Sequence, residues 1–277
     1  MINTTTVKPR GGRVFTIGPD DAARRILMVG SCRSVPYLNY LNRFLTMNPG
    51  SMRVQFIDPN DWHWDEAGSA VDFEAALQAQ ESNPHVLRAI GEATVYLHEW
   101  YESYGMFNCS PDAEKNIFQF GMNPEINVCV PNFHDHFILF NEQIMFNSEN
   151  AWHYAMASRG AMTDSILSGM RGYGLRAVEK FLSVCLKSDI PELADHFRQN
   201  WTNRRFFWTG NHVSKHFTTY VFERINEKFL HLPLNEAFWG PAGEEDLFKF
   251  PNTAVTQFDV DAYGLTWPDT PIEPLKL

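Results

Sequence analysis

The sequence predicts an α/β fold, a three-layer sandwich around a central, mostly parallel sheet of five strands. Short apolar runs rich in β-branched residues alternate along the chain with longer stretches of helical periodicity. Parallel neighbours need a long crossover connection, and helices of this kind supply it. The five predicted strands cover residues 26–29, 53–57, 94–97, 126–130 and 205–208.

Helical periodicity fills most of the intervals between these strands. The clearest case is the last one, in which Phe217, Val221, Ile225 and Phe229 form one apolar stripe. The predicted helices cover residues 35–45, 73–90, 175–186, 191–201 and 214–230.

The domain prediction is a single α/β domain over residues 1–277. Residues 140–174 interrupt the alternation between the fourth and fifth strands, which suggests an inserted helical lid. Residues 233–277 are rich in Pro, Gly, Trp and acidic side chains and show little periodicity, so we expect them to wrap the surface.

Composition excludes several classes of protein. The formal net charge of -10 argues against a nucleic-acid binder, because neutralising phosphates needs clustered Lys and Arg. The sequence shows neither a signal-peptide core nor a run long and apolar enough for a membrane span, so the expected location is the cytoplasm. The four cysteines are widely spaced, which favours free thiols over a zinc knuckle or a disulfide framework.

The segment Gly30-Ser-Cys-Arg-Ser34 joins the first predicted strand to the first predicted helix. In an open parallel sheet this corner is where ligands bind, and the helix N-terminus and Arg33 would favour the thiolate form of Cys32. Ser34 is positioned to cap the helix ahead of Pro36. The segment is typical of an anion-attracting nucleophile, although a small buried cysteine that only packs beneath the helix is the simpler alternative.

A second polar group follows the fifth predicted strand. Asn211 and His212 come directly after it, and His216 lies one helical turn further on. A histidine at a strand end could act as general base for a nucleophile at another strand end, with His216 as the fallback. The alternative is a helix-capping asparagine beside a surface histidine.

Two further polar segments lie at predicted strand ends. Asn132 and His134 are expected to contact a ligand, while a metal site at His134, Asp135 and His136 lacks further ligands, so no metal is expected. Glu99 could orient an imidazole, bind a sugar hydroxyl or cap the next helix.

Four motifs together resemble one family. They are G-S-C-R-S at 30–34, Y-x-x-x-G-M-F-N at 101–108, V-P-N-F at 130–133 and F-x-T-G-N-H at 207–212. The combination resembles the WcbI-type polysaccharide biosynthesis proteins, which are similar in architecture to SGNH/GDSL hydrolases. The resemblance implies an SGNH/flavodoxin-like sheet, coenzyme A as a ligand and acetyl transfer to a sugar.

The resemblance also implies residue roles. Cys32 stands where a GDS hydrolase has its serine, and His212 takes the role of the C-terminal base. The hydrolase aspartate would fall at position 209, which is Thr, so the expected site is a Cys-His pair oriented by Glu99. The family more often has Asn and Gln where this chain has Ser31 and Arg33.

The sequence thus predicts an acyltransferase of glycan assembly with an acyl-coenzyme A donor and a sugar hydroxyl acceptor. Backbone N–H groups of residues 32–34 and Asn132 would hold the oxyanion, and Arg33 would pair with donor phosphate. An SGNH-like esterase or deacetylase, and a non-catalytic glycan or nucleotide binder, remain alternatives. The residues expected to contact the donor are Ser31, Arg33, Ser34, Asn132, His134, Asn211 and His216.

Overall fold

The structure, a computed structural model, divides the chain into two compact units. The first comprises Met1–Asn132 and Ile225–Pro241, and the second Phe133–Arg224 and Ala242–Leu277. The residues that the structure describes are 3–6, 13–59, 61, 72–99, 105–108, 112, 115–132, 138–146, 163–210, 212–239, 255–268 and 271. No helix within those residues has both the length and the apolarity needed to cross a lipid bilayer.

The first unit contains a six-stranded, mostly parallel sheet. Its strands are β1 (Asn3–Thr6), β2 (Arg13–Ile17), β3 (Arg25–Val29), β4 (Arg53–Ile57), β5 (Val95–Glu99) and β6 (Ile126–Val130). The order is β1-β2-β4-β3-β5-β6, with parallel pairing from β4 to β6 and antiparallel pairing of β1 and β2 at one edge. An α/β fold with a mostly parallel sheet is therefore confirmed, whereas its three-layer arrangement stays a prediction.

Four of the predicted strands form the parallel part of the sheet, and the three central ones are buried almost throughout. Every residue of β4 and β5 is buried, as expected for strands covered on both faces. The sheet has six strands, because β1 and β2 are added at one edge to the four predicted strands.

The fifth predicted strand does not join this sheet. Residues Phe207–Thr209 form β7, which pairs with β8 (His212–Val213) in a separate antiparallel ribbon of the second unit. The intervening Gly210-Asn211 is a short turn sequence typical of hairpins, so β7 is paired locally. The prediction of a fifth sheet strand at 205–208 is thus wrong.

Three helices follow the strands of the first unit. They are α1 (Val35–Met47), α2 (Phe73–Glu81) and α3 (Pro84–Glu92). The single helix predicted over residues 73–90 is divided in two, because the Asn83 side chain accepts hydrogen bonds from the N–H groups of His85 and Val86 and starts a new helix. Pro84 at the first helical position fits this start, since it has no N–H to satisfy.

The second unit is mainly helical. Its helices are α4 (Phe140–Phe146), α5 (Asp164–Lys187), α6 (Glu192–Asn200), α7 (Lys215–Ile225) and α9 (Gln257–Tyr263). The π-helical extension of α7, Asn226–Leu230, and the short helix α8 (Glu236–Trp239) are assigned to the first unit. Helix α5 begins at Asp164 because the Thr163 hydroxyl caps it, so it starts well before the predicted position 175. Residues 147–162 of the predicted lid lie outside the described residues.

An aromatic core fixes the β7–β8 ribbon against these helices. Phe181 of α5 lies with its ring centroid 5.2 Å from Phe207 of β7 and 4.4 Å from Phe197 of α6. Phe206 and Phe217 are 4.9 Å apart in the same core. Such contacts hold the ribbon in place, and with it the candidate base at its end.

The expected surface tail contributes buried residues to the second unit. Thr256, Asp259 and Tyr263 are buried, and Tyr263 packs with Leu139 and Leu265. The prediction of one domain with a lid and a wrapping tail stays a prediction.

Candidate functional site

The first candidate site lies at the carboxyl edge of the sheet in the first unit. Strand β3 lies between β4 and β5, so the strand order reverses at this point. In open α/β sheets, ligands bind beyond the carboxyl ends of the strands where the order reverses. Cys32 follows β3 and Glu99 ends β5, so the chain places both residues at this position.

A short 3₁₀ turn, Cys32–Ser34, leads directly into α1. The Ser31 side chain accepts a hydrogen bond from Arg33 N at 3.3 Å, and Ser31 O accepts one from Ser34 N at 2.9 Å. These two N–H groups were expected to hold an oxyanion. Both already donate to Ser31, and the expected oxyanion hole over residues 32–34 stays a prediction.

Glu99 organises the rest of this turn. Its carboxylate accepts a hydrogen bond from the Ser34 hydroxyl at 2.5 Å and one from the Ser31 hydroxyl at 3.4 Å. Arg33 Nη2 lies 3.4 Å from the same carboxylate and forms an ion pair with it. We call this set of residues, Ser31 to Ser34 with Glu99, the cysteine corner.

Apart from Cys32, the cysteine corner is buried. Ser31, Arg33, Ser34 and Glu99 are each at most 5% exposed. A buried ion pair persists when additional hydrogen bonds satisfy its members, and the two serine hydroxyls do this for Glu99. The structure therefore pairs Arg33 with a carboxylate, whereas its expected contact with donor phosphate and the expected imidazole partner of Glu99 stay predictions.

The expected role of Ser34 as a helix cap is wrong. Ser34 precedes α1 but makes no side-chain capping hydrogen bond, because its hydroxyl donates to Glu99. Ser31 caps the 3₁₀ turn instead. A capping serine and a carboxylate-binding serine are alike in sequence, so only the fold distinguishes them.

Gly30 is needed for this packing. A Cβ atom at Gly30 would overlap the Ser34 side chain and come within 3.0 Å of Glu99 Oε1. The backbone N–H of Gly30 donates to Ile57 O at 3.1 Å, which continues the sheet into the turn. The glycine thus lets the serine and the carboxylate meet directly beside the end of β3.

Cys32 itself is exposed, which excludes the alternative of a cysteine that only packs beneath the helix. Its protonation differs from the prediction. Desolvation by its surroundings raises the pKa of the Cys32 thiol above its ordinary value; Arg33 lowers this pKa, whereas Glu99 and Asp58 raise it further. The expected bias toward thiolate is therefore not supported, because desolvation, with the two carboxylates, outweighs the guanidinium.

The remaining residues at this edge are only partly described. Asn132 is buried and follows the end of β6. His134, Asp135 and His136 lie outside the described residues, as does Asn211. Among the residues that are described, no group of three or more His, Cys, Asp or Glu side chains could hold a metal ion.

The candidate base His212 lies in the second unit, on β8. Thr209 Oγ1 lies 2.8 Å from His212 Nδ1, so the two side chains share a hydrogen bond across the ribbon turn. With Nδ1 engaged in this way, proton transfer by the ring would use Nε2. Thr209 therefore makes the ring contact that the missing hydrolase aspartate would make.

His216 is placed differently from His212. Its ring packs against the aromatic core, 5.6 Å from the His196 ring and 5.9 Å from Phe206. Desolvation lowers the pKa of His216, and the nearby positive charge of Arg204 lowers it further. The ring is thus held in a neutral, largely apolar setting, and its expected contact with a donor stays a prediction.

Sequence reasoning missed two features of these sites. The Thr209 hydroxyl was treated as a missing aspartate, although a hydroxyl three residues before a histidine can reach its ring in a tight hairpin. The partners of Glu99 were also missed, because they lie 65 to 68 residues away along the chain. The serines on both sides of Cys32 were the signal that a buried acceptor would face them.

Comparison with known proteins adds little to this geometry. The sequence matches no protein-family model and no curated protein. It is similar to one solved structure. That structure is described as native WcbI, a novel polysaccharide biosynthesis enzyme, without a disulfide bond between coenzyme A and a cysteine. The identity is 12% and the TM-score 0.44 over 80% of this chain and 74% of that chain, a likeness too weak to bear on the site.

Proposed function

We propose that this protein is an acyltransferase of glycan assembly that moves an acyl group, with acetyl as the first candidate, from an acyl-coenzyme A donor to a sugar hydroxyl. The observation that carries the proposal is an exposed thiol at the point where the strand order of a parallel sheet reverses. The four motifs shared with WcbI-type proteins supply the donor and acceptor classes.

The proposed reaction is a double displacement. A base takes the proton of the Cys32 thiol, and the sulfur attacks the acyl carbonyl of the donor. The bond between this carbonyl and the donor sulfur breaks, and coenzyme A leaves as its thiol after taking up the proton. The base then takes the proton of the sugar hydroxyl, whose oxygen attacks the enzyme thioester; the bond to the Cys32 sulfur breaks, the sugar ester is released, and the sulfur takes up that proton as the Cys32 thiol.

The raised pKa of Cys32 makes the base a necessary part of this scheme, because a neutral thiol is a poor nucleophile. His212 is the proposed base, and its ring is held by Thr209. In the competing route, the sugar oxygen attacks the donor directly and Cys32 only lines the site.

The other corner residues have supporting roles in the proposal. Arg33 and Glu99 fix the turn that presents Cys32. Asn132 is the proposed side-chain donor to the oxyanion. The motif resemblance alone supports the remaining contacts with the donor, at Ser31, Ser34, His134, Asn211 and His216.

Mass spectrometry of the protein mixed with acetyl-coenzyme A tests the proposal. We expect one acetyl group on the peptide that contains Cys32, labile to hydroxylamine and absent from Cys32→Ala. Loss of the thiol should lower sugar acetylation by about 10³-fold or more. Cys129→Ala is the matched control, since Cys129 is a half-buried thiol in the same unit. Absence of both acetylation and calorimetric binding of coenzyme A would refute the proposal.

An esterase or deacetylase of the SGNH type is the second candidate. The hydrogen bond between Thr209 and His212 favours it, because it supplies a third group to a hydrolase-like relay. Release of p-nitrophenol from its acetyl ester, lost in Cys32→Ala and independent of coenzyme A, would select this candidate. Unchanged ligand affinity and unchanged biological output in Cys32→Ala would instead select a non-catalytic binding protein.

A further inference from the structure

Helix α5 carries apolar side chains on two different faces. One face packs into the second unit through buried residues such as Val178, Phe181 and Val184. On another face, Leu175 is 42% exposed and Leu186 is 60% exposed, and these two are among the four strongly exposed large apolar side chains of the described residues. The core of the unit therefore does not account for them.

The exposed leucines follow one line along α5. Leu182, which is half-buried, stands seven residues after Leu175 and four residues before Leu186. Steps of four and seven residues return to nearly the same side of an α-helix, so the three leucines form a ridge about 16 Å long. A single exposed leucine needs no explanation, whereas a ridge at helical spacing indicates an interaction surface.

A basic stripe runs along α5 beside this ridge. Arg176, Lys180 and Lys187 are exposed, and they follow one another at steps of four and seven residues. Residues 171–187 contain four basic side chains and one acidic side chain, a net charge of +3, in a chain whose net charge is -10. We call the ridge and the stripe together the α5 outer face; it consists of Leu175, Leu182, Leu186, Arg176, Lys180 and Lys187.

Two basic side chains of the α5 outer face have no carboxylate partner within the described part of the chain. Neither Arg176 nor Lys180 forms an ion pair there, and Arg176 lies 5.7 Å from the centroid of the Tyr173 ring. On the neighbouring helix α6, in contrast, the exposed Arg198 pairs with Asp195. Positive charge that is not neutralised locally favours an anionic partner.

We propose that the α5 outer face binds the surface of a bilayer that contains anionic phospholipids. The leucine ridge enters the boundary between head groups and acyl chains, and the basic stripe lies beside it at the level of the lipid phosphates. Apolar insertion and charge attraction are each weak for a face of this size. Acting together, they give reversible binding to the surface.

A second copy of the chain fits the α5 outer face less well than a bilayer does. Pairing two leucine ridges would bring the basic stripes of both copies close together, and like charges repel. Three leucines also cover only a small part of the roughly 1,200 Å² that a stable protein interface buries. A bilayer accepts protruding leucines without a preformed groove and offers anionic groups along the whole helix.

Co-sedimentation with lipid vesicles tests the charge dependence. We expect binding to phosphatidylcholine vesicles with about 30% phosphatidylglycerol, weaker at higher salt, and none to phosphatidylcholine alone. Arg176→Gln combined with Lys180→Gln should weaken binding by at least about tenfold, and Glu179→Gln should strengthen it. Arg198→Gln combined with Arg204→Gln is the matched control, because both are exposed arginines of the same unit outside α5. No binding to the anionic vesicles, equal binding to both kinds of vesicle, or equal losses in the two double variants would overturn the proposal.

Two substitutions on the ridge test the apolar contribution. Leu175→Gln combined with Leu186→Gln should weaken vesicle binding by about tenfold, because the inserted side chains become polar. Met47→Gln combined with Phe118→Gln is the matched control, since these are exposed large apolar side chains of the first unit. Thermal unfolding followed by circular dichroism verifies that each variant is folded. Undiminished binding of the folded leucine variant would overturn the proposal.

Gel filtration with light scattering, in the absence of lipid, tests the other occupant. We expect the leucine variant and the wild type to have the same mass. A wild-type dimer that the leucine variant dissociates would overturn the proposal, because it would assign the α5 outer face to a second copy. The vesicle assay needs neither donor nor acceptor, so its outcome is independent of the acyltransferase proposal.

Discussion

Two glutamates with the same burial behave differently in this protein. Glu99 in the cysteine corner and Glu142 on α4 of the second unit are each 3% exposed. Glu99 receives hydrogen bonds from two serine hydroxyls and an ion pair from Arg33, whereas Glu142 is contacted by the backbone N–H groups of Leu139 and Ile138. Partners therefore decide what a buried carboxyl does: Glu99 holds a turn together, and desolvation raises the pKa of Glu142.

Glu142→Gln is the substitution with the largest expected effect. It changes how the free energy of unfolding depends on pH. The pKa of Glu142 is raised in the folded state from 4.5 to about 8, so between these values the folded protein holds a proton that the unfolded chain has released. Wild-type stability should therefore fall as pH rises through this window. Across it, the stability of wild type should drop relative to Glu142→Gln by roughly 3–5 kcal/mol.

Denaturant unfolding at several pH values measures this difference. Asp259, whose pKa is also raised, and Arg205 face Glu142 and are present in both proteins, so their contributions largely cancel. Glu179→Gln is the control, because Glu179 is an exposed glutamate of α5 in the same unit, and it should retain the wild-type slope. Parallel pH profiles for wild type and Glu142→Gln would contradict the raised pKa of Glu142.

The same substitution at Glu99 should act in the opposite direction. Glu99→Gln leaves the buried Arg33 without its counter-charge, and breaking a buried pair from one side costs about 3 kcal/mol. We expect a lower free energy of unfolding at neutral pH and reduced labelling selectivity of Cys32 by iodoacetamide, because the turn loosens. A neutral or stabilising effect of Glu99→Gln would remove the distinction between the two glutamates.

Much of the fold around the cysteine corner was predictable from local sequence. The strands β3, β4 and β5 are buried almost throughout, and the G-S-C-R-S segment follows the first of them, so Cys32 was correctly placed at a strand end. Strand β1 was missed because Asn-Thr-Thr-Thr contains no apolar residue. Strand β7 was assigned to the sheet because its apolar run resembles a buried strand, and the Gly-Asn turn after it was overlooked.

The parts that could not be predicted depend on distant contacts. The pairing of Glu99 with Ser34 joins residues 65 positions apart, and it changes both the capping of α1 and the pKa of Cys32. Glu142 attracted no attention, because a glutamate in a helix is usually a surface residue. Its burial follows from the packing of α4 beside Asp259, which no local pattern records.

Gly30→Ala sharpens the picture of the cysteine corner as a close-packed turn. The added Cβ would overlap Ser34 and approach Glu99, so we expect a loss of about 2 kcal/mol in the free energy of unfolding. Gly91→Ala is the matched control, since a Cβ at Gly91 on α3 meets nothing within 4 Å and should stabilise the helix by about 0.5–1 kcal/mol. Similar effects of the two substitutions in thermal unfolding would show that the corner tolerates more space than its contacts indicate.

Thr209→Val has the smallest expected effect. It tests whether partners also control the hydrogen-bonded pair of Thr209 and His212 in the second unit. Valine keeps the shape of the side chain but removes the hydroxyl that contacts His212 Nδ1, so both ring tautomers become populated and proton transfer at Nε2 slows. We expect kcat for acyl transfer, or for ester hydrolysis if that is the activity, to fall by about tenfold with KM unchanged, and Thr209→Ser to restore it.

Long-range nitrogen–proton NMR of the imidazole reports the tautomer without requiring activity. Thr218→Val is the control, because it removes a buried hydroxyl that bonds to Lys215 O and no histidine; an unchanged tautomer in Thr209→Val would show that the hydroxyl does not orient the ring.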